Sequence, residues 1–271
     1  MIGLSIAISV FSFFVLLFLL YLFLICPRRR HPDTAARRVD YMHRGYHTVN
    51  GLPENSMAAF RAAVLAGEGI ETDVQLSKDG VPMLFHDYTL SRMCGVDKKL
   101  ADCTAEELKG YRLLDSDEQI PTLAELLAAV DGRVPLLIEL KGETTDTSLC
   151  PKVAEQLDAY RGAYCVESFN PMLLRWYRRH RKQVLRGQLV TNLIKEKKPS
   201  LLNFFLTHLL LNVFSRPDFI AYNGHYPSLP SIRLCRHLGA DGVQWTVDSR
   251  EALEAVHKNG EQAIYENIEL S

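Results

Sequence analysis

Two carboxylates that lie two residues apart, Glu71 and Asp73, are the first candidates for chemistry in this sequence. They belong to the strand-like run IETDVQL, and side chains at positions i and i+2 of a strand point to the same face. Two carboxylates on one face repel each other unless a positive charge lies between them. Hard divalent cations such as Ca²⁺ and Mg²⁺ prefer oxygen ligands. The pair therefore predicts a metal site with Glu71 and Asp73 as ligands.

Two histidines flank this run. His43 follows the apolar run VDYM and precedes Arg44, and His86 ends the run VPMLFH. The KDG sequence at 78–80 is a turn signal, so the runs on either side are expected to pair as a hairpin that brings His86 near Glu71. Histidines transfer protons near neutral pH, and arginine binds a phosphate through two nitrogens. A metal flanked by these groups predicts phosphoryl chemistry.

An ordered set of short motifs resembles the glycerophosphodiester phosphodiesterases. The set consists of HRG at 43, PEN at 53 with AF at 59, E-x-D-V at 71, DG at 79, HD at 86, IELK at 138, SF at 168 and WTV at 245. The combination is more specific than any single fragment. The resemblance covers roughly residues 39–271 and implies metal-dependent hydrolysis of a glycerophosphodiester to glycerol phosphate and an alcohol.

Strand-like and helical stretches alternate along this region. The alternation indicates a parallel sheet, and the number of units predicts a TIM-like (β/α)8 barrel. Nine strand candidates occur, so either the hairpin return VPMLFHD is the surplus one or QAIYEN at 262–267 is not a barrel strand. Catalytic groups of such barrels gather at the carboxyl ends of the strands. The candidate residues end their runs, so the barrel would bring them together.

Glu139 and Lys141 add a second i, i+2 pair, in the run VPLLIELK. Glu139 would be the third carboxylate on Ca²⁺ or Mg²⁺. Lys141 would contact a phosphate oxygen or keep Glu139 ionised, and Arg44 would bind the phosphate with it. His43 and His86 would act as general base and general acid in an order that the sequence does not specify. The nucleophile is either water or the neighbouring glycerol hydroxyl, which would give a cyclic phosphate.

Two further residues have two interpretations each. Glu54 is either a residue of the substrate pocket or an anchor that ties its loop to the following helix. The resemblance implies that Trp245 lines the glycerol pocket, whereas a tryptophan at this point could also pack the barrel end. The sequence departs from the family near its end, where EQAIYENI at 261–268 replaces a pattern that resembles D-G-I-I-T-D-x-P. The departure puts the closing strand in doubt, while the metal and acid–base residues are expected not to depend on it.

Residues 1–26 predict one transmembrane anchor. Ile2 to Cys26 carries no charge and exceeds the roughly 20 residues that span a bilayer. Its lack of a basic start and its long apolar core are atypical of a cleaved signal peptide. A basic linker follows at 27–38, and its arginines predict a cytoplasmic catalytic domain at 39–271 and contact with anionic headgroups. We therefore expect a single-pass protein of the cell membrane.

Two segments of the barrel region stand out. Residues 88–120 are longer than a simple loop, and the resemblance implies a variable insertion that covers the substrate. Residues 200–214, SLLNFFLTHLLLNVF, predict an apolar helix that is too short to span a bilayer. It would lie in the headgroup region, or pack broadly on the barrel or on a second copy of the chain.

Composition bounds the remaining possibilities. The formal net charge of −1 gives no electrostatic case for binding nucleic acid, and the six cysteines show neither zinc-site nor disulfide spacing. The expected partners are a glycerophosphodiester or lysophospholipid substrate and membrane lipids. A lysophospholipase D-type enzyme that takes its substrate from the bilayer is one alternative function. A non-catalytic, membrane-tethered binding protein is the other.

Overall fold

The computed structural model describes residues 2–47 and 51–269, and it contains a closed barrel of eight parallel strands. The barrel strands pair in the order β1, β2, β4, β5, β6, β7, β8 and β9, and β9 returns to β1. The nine strands are β1 (Tyr41–Met42), β2 (Gly69–Leu76), β3 (Pro82–Leu84), β4 (Leu136–Leu140), β5 (Tyr164–Ser168), β6 (Leu185–Val190), β7 (Phe219–Asn223), β8 (Asp241–Val247) and β9 (Gln262–Tyr265). The predicted TIM-like barrel is confirmed.

The surplus strand is the hairpin return. β3 runs antiparallel to β2, with Val74 opposite Leu84 and Leu76 opposite Pro82. Beyond the pairing, the amide of Phe85 donates to the carbonyl of Asp73 at 3.0 Å, which carries His86 back toward the carboxylates. The doubt about the closing strand is also resolved, because β9 completes the barrel despite the unusual sequence there.

Twelve α-helices and one 3₁₀-helix (Leu100–Asp102) lie in the described part of the chain. The α-helices are α1 (Ile2–Ile25), α2 (Met57–Ala66), α3 (Ser91–Cys94), α4 (Ala105–Lys109), α5 (Leu123–Val130), α6 (Leu149–Ala159), α7 (Pro171–His180), α8 (Leu193–Glu196), α9 (Leu201–Thr207), α10 (Asn212–Ser215), α11 (Pro230–His237) and α12 (Arg250–Lys258). Local signals set several of their ends. The Ser56 hydroxyl accepts from the amide of Ala59 at the start of α2, and Gly67 ends that helix at φ +76°.

Strand alternation separates the two layers of the core. Ile70 and Val74 of β2 face outward and pack with the surrounding helices, whereas Glu71 and Asp73 face the barrel interior. Tyr41, Leu137 and residues of the other strands fill the interior with a second apolar cluster at the amino ends of the strands. The charged residues therefore lie at the carboxyl ends of the strands, and the interior apolar cluster lies below them.

The segment at 27–38 is docked onto the amino ends of the strands. Arg28 and His31 contact Asp218 at 3.5 and 3.1 Å, and Arg37 contacts Asp241 at 2.7 Å. Ala36 is buried in the interior cluster. The predicted basic linker is thus an ordered part of the barrel floor, because two buried or half-buried carboxylates pair with its cations.

Helix α1 is long and apolar enough to cross a membrane, and little of it is buried. Its last turn packs on the barrel: Ile25 is fully buried beside α10 and α11. Arg216 donates to the carbonyls of Phe23 and Cys26 at 2.7 and 2.8 Å. These bonds satisfy two carbonyls that a helix end leaves unpaired.

The two segments singled out by sequence differ in outcome. Residues 88–120 form an excursion with short helices and an apolar cluster of their own, which includes Leu90, Leu100 and Leu108. The single helix predicted over 200–214 is wrong: α9 ends at Thr207 and α10 begins at Asn212. Leu209 between them lies in the left-handed region at φ +57°, and its side chain is buried against the barrel.

Candidate active site

Three buried carboxylates meet at the carboxyl ends of β2 and β4. Glu71 and Asp73 face inward from β2, and the register places Asp73 beside Glu139 of β4. One oxygen from each of the three lies within 4.8 Å of the others, and all three side chains are at most 10% exposed. The interior face of two adjacent strands thus brings together the three carboxylates that the sequence predicted as metal ligands.

Two cations neutralise this cluster in part. Lys141 Nζ lies 2.8 Å from Asp73 Oδ1 and 2.9 Å from Glu139 Oε2. The backbone amide of Arg44 donates to Glu71 at 3.0 Å, and its guanidinium lies 3.4 Å from Asp73. Burial alone would raise the pKa of Asp73, but Lys141 and Arg44 hold it well below its usual range.

The positive charge of Lys141 and Arg44 compensates the other two carboxylates less completely. Burial and the neighbouring charge of Asp73 raise the pKa of Glu71 well above its usual range. Burial also raises the pKa of Glu139 to about 7, against the opposing effect of Lys141. A further positive charge at this point would therefore favour ionisation of all three groups.

Asn55 holds Asp73 in place. Its amide nitrogen donates to Asp73 Oδ2 at 2.9 Å, and its oxygen accepts from the Thr72 hydroxyl at 2.7 Å. Asn55 is buried and has φ +51°, a left-handed conformation that asparagine tolerates better than most residues. Sequence reasoning assigned Asn55 no role in the site, although it lies in the PEN motif.

His43 forms a pair with Glu266 across the seam that closes the barrel. Its Nδ1 lies 2.7 Å from Glu266 Oε2, and the hydrogen bond lowers the pKa of the carboxyl. The sequence reasoning missed Glu266, and the expectation that the acid–base residues are independent of the closing strand is wrong. The signal was available, because Glu266 stands at the second Asp of the family pattern.

His86 forms the corresponding pair with Asp87. Its Nδ1 lies 2.6 Å from Asp87 Oδ1, and burial lowers the pKa of the imidazole. Arg92 of the 88–120 excursion donates to Asp87 Oδ2 at 2.6 Å and to Glu54 Oε1 at 2.6 Å. Glu54 also accepts from Arg44 at 2.8 Å. A chain of ion pairs through Glu54 therefore ties the excursion to Arg44. The place of Glu54 in the substrate pocket stays a prediction.

Trp245 lies at the carboxyl end of β8, and its ring meets Phe169 edge-on at 5.7 Å between centroids. Its indole nitrogen is buried and has no hydrogen-bond partner among the described residues. The structure places Trp245 at the same end of the barrel as the carboxylates. Its predicted contact with the glycerol of a substrate stays a prediction.

The arrangement matches a known family. The family model described as "Glycerophosphoryl diester phosphodiesterase family" matches residues 43–267, a range that includes the carboxylates, the histidines and Glu266. The chain belongs to this family.

Relatives that match most of the length of this chain support the same family membership. The "Glycerophosphodiester phosphodiesterase" of Caldanaerobacter subterraneus subsp. tengcongensis is 30% identical over 236 residues, which cover 82% of this chain and 90% of that one. A solved glycerophosphodiester phosphodiesterase from Thermotoga maritima is 26% identical, with a TM-score of 0.64 over 87% of this chain and 96% of that one. The protein is therefore a phosphoric diester hydrolase.

The fold is shared more widely. An Oleispira antarctica phosphodiesterase, solved in complex with the product sn-glycerol-3-phosphate, matches with a TM-score of 0.70 and 23% identity. The match covers 84% of this chain and 93% of that one. As a glycerophosphodiester phosphodiesterase, the present chain places its candidate residues at the barrel end where such folds do chemistry.

Proposed function

We propose that the protein hydrolyses glycerophosphodiesters to glycerol phosphate and an alcohol, with a divalent cation held by Glu71, Asp73 and Glu139. The observation that carries this proposal is the meeting of three buried carboxylates within 4.8 Å, beside two histidines that are each bonded to a carboxylate. Family membership supports the reaction class. Arg44 and Lys141 supply the fixed positive charge that a phosphodiester needs.

The donor set fits a hard cation. Three carboxylates carry three negative charges, and Arg44 and Lys141 carry two positive ones, so the net charge of the five groups is −1. A divalent cation would change this net charge to +1, which a phosphodiester anion then balances. All-oxygen ligands favour Ca²⁺ or Mg²⁺ over softer metals. When bound, such a cation supplies Lewis-acid stabilisation of negative charge on phosphoryl oxygens.

The histidines carry out the proton transfers in this proposal. In each imidazole, Nδ1 is engaged by a carboxylate, so Nε2 is the nitrogen left to face the substrate. One histidine removes the proton of the attacking hydroxyl, of water or of the substrate's own glycerol, and the other protonates the leaving oxygen. Glu266 and Asp87 fix the orientation of the two rings.

The test of these roles is substitution of each histidine. His43→Ala and His86→Ala are each expected to lower kcat on glycerophosphocholine by about 10²- to 10⁴-fold, with unchanged far-UV circular dichroism. His237→Ala is the matched control. Among the described residues, the exposed His237 side chain hydrogen-bonds only to the carbonyl of Arg233 in its own helix. Wild-type turnover in both active-site variants would refute the assignment.

Anchoring by α1 belongs to the same proposal. The last turn of α1 is built into the barrel through Ile25 and Arg216, which supports a retained anchor over a removable leader. Residues 1–26 would span the membrane, residues 27–38 would join them to the barrel at 39–271, and the excursion at 88–120 would cover the substrate. The arginines after α1 favour a cytoplasmic barrel.

A lysophospholipase D-type reaction is the second candidate. The supporting observation is the exposed apolar surface of α9, where Leu201, Leu202 and Phe204 are 71%, 58% and 44% exposed. Against it, α1 joins the barrel at the amino ends of the strands, opposite the carboxylates. Comparing glycerophosphocholine with micellar lysophosphatidylcholine separates the two. Faster turnover of the soluble diester supports the first proposal, and turnover of the lysolipid alone supports the second.

A further inference from the structure

A basic cavity lies where α1 enters the barrel, at the end opposite the carboxylates. Its volume is about 670 Å³. It is bordered by the end of α1, the end of α7 and the segments that precede β6 and β7. Its cationic lining residues are Arg28, Arg29, Arg178, Lys182, Arg186 and Arg216. Among the described residues, no carboxylate lines it.

The positive charge of this cavity is not balanced from within the barrel. Asp218, beneath the cavity, is the nearby carboxylate, and it is shared among Arg28, His31 and Arg186. Arg186 is 3% exposed, and its Nη1 has no hydrogen-bond partner within the described ranges; the nearest Asp218 oxygen is 3.9 Å away. Arg28 Nη1 is likewise buried without a hydrogen bond to any described residue. Both nitrogens face the same buried carboxylate of Asp218, at 3.5 and 3.9 Å, so one carboxylate serves several cations. The positive charge that remains at the cavity favours an anionic ligand.

Arg178 and Arg216 are fixed in position by the protein itself. Arg178 Nη1 donates to the carbonyls of Val213 and Phe214 at 2.8 and 3.0 Å. Arg216 donates to the carbonyls of Phe23 and Cys26, and its guanidinium lies 4.8 Å from the Phe23 ring centroid. Their guanidinium groups are therefore held at the wall of the cavity before any ligand arrives, which lowers the entropic cost of binding.

Part of the cavity lining is apolar. Leu22 and Phe23 of α1 line it, and Phe23 is 58% exposed. A second basic depression adjoins it and shares Arg178 and Lys182; Arg175 and Arg179 extend it along α7. Arginine and lysine beside an aromatic residue at the end of an apolar helix is the composition found at membrane–water interfaces.

We propose that this cavity binds the phosphate headgroup of an anionic membrane lipid, with the acyl chains lying along α1. The proposal goes beyond catalysis and rests on the proposed anchoring by α1. A lipid phosphate satisfies both observations at once, because its anion balances the excess positive charge of the cavity and its chains contact Leu22 and Phe23. Free phosphate would satisfy the first observation alone. The bound lipid would fix the tilt of the barrel on the membrane and keep the active site turned away from the surface.

The experiment is native mass spectrometry of the full-length protein in detergent, with phosphatidylglycerol, phosphatidylcholine or inorganic phosphate added. The test variant is Arg29→Gln/Lys182→Gln, because neither side chain makes a hydrogen bond or ion pair in the described part of the chain. The matched control is Lys99→Gln/Lys152→Gln, which removes the same charge from exposed positions far from α1. Retention of phosphatidylglycerol is expected to fall about tenfold or more in the test variant and to stay unchanged in the control.

Each arm has a result that overturns the proposal. Equal retention of phosphatidylglycerol and phosphatidylcholine, or equal loss in both double variants, contradicts a specific anionic site. Competition by millimolar inorganic phosphate that removes the lipid completely assigns the cavity to a free anion. Alkaline washing of vesicles made from phosphatidylcholine alone tests the anchor separately. Release of the protein there contradicts the anchor, and with it the lipid site, while leaving the catalytic proposal intact.

Discussion

Replacing Glu266 with glutamine tests the pair that Glu266 forms with His43. The two atoms lie 2.7 Å apart, and the side chains are 26% and 18% exposed. Glutamine keeps the size of the side chain but removes the negative charge that orients the ring. A hydrogen bond to a charged group contributes about 1.5–3 kcal/mol. Because about 1.4 kcal/mol corresponds to a factor of ten in rate, and partial exposure weakens the pair, we expect kcat to fall about 10- to 100-fold.

The assay is the initial rate of glycerol phosphate release from glycerophosphocholine over a range of concentrations. KM is expected to change little, since Glu266 contacts the imidazole and not the phosphate. Glu266→Asp keeps a carboxylate and is expected to retain more activity than Glu266→Gln. Glu254→Gln on α12, where the side chain is 70% exposed, controls for the loss of one surface charge. A wild-type kcat in Glu266→Gln would refute the role given to this pair, and so would equal losses in the Gln and Asp variants.

Three further substitutions test groups around the site and at the barrel floor. Both oxygens of Glu167 are buried without a hydrogen-bond partner among the described residues, and burial raises the pKa of this carboxyl well above 4.5. The folded state therefore binds a proton that the unfolded state releases, and the wild-type protein loses stability as pH rises. The melting temperature of Glu167→Gln relative to wild type should increase from pH 5 to pH 8, and a constant difference would contradict this. Asn55→Ala removes the hydrogen bonds to Asp73 and Thr72 and places alanine at φ +51°. The free energy of unfolding, measured by urea titration, should therefore fall by about 2–3 kcal/mol, and a loss below about 0.5 kcal/mol would contradict this structural role. Asp218→Asn removes the carboxylate that pairs with the docked segment at 27–38. Trypsin should therefore cleave after Arg28 faster than in wild type. An unchanged cleavage rate would show that the docking does not depend on this ion pair.

The parts of the structure that depend on local pattern could be predicted from the sequence. Glu71 with Asp73, and Glu139 with Lys141, share a strand face because the side-chain period of a strand is two. The turn at 78–80 fixed the β2–β3 hairpin, and the alternation of elements indicated the barrel. The three carboxylates could therefore be grouped from the sequence alone.

The parts of the structure that depend on closure of the barrel could not be predicted from the sequence. Glu266 meets His43 across 223 residues of sequence, and only the pairing of β9 with β1 brings them together. The break in the apolar stretch at 200–214 has the same origin. Leu209 adopts φ +57° with its side chain buried in the cluster that also holds Ile25, although leucine gives no local signal for a left-handed residue.

The docking of residues 27–38 was also hidden from the sequence. A run of arginines after an apolar helix indicates contact with headgroups. In the structure Arg28 and Arg37 also pair with Asp218 and Asp241, about 190 to 200 residues later in the chain. Ion pairs between distant segments leave no periodic trace, so the fold must be known before they can be assigned.

The central claim is that Glu71, Asp73 and Glu139 hold a divalent cation that hydrolysis requires. The direct test is release of glycerol phosphate from glycerophosphocholine by metal-stripped protein, with Ca²⁺, Mg²⁺ or chelator added, for wild type and Glu71→Ala. We predict that wild type is inactive in chelator and recovers with at least one of the two ions, whereas Glu71→Ala stays at least 100-fold slower at saturating metal while keeping its fold. Full activity of wild type in chelator, or of Glu71→Ala in either ion, would contradict the account.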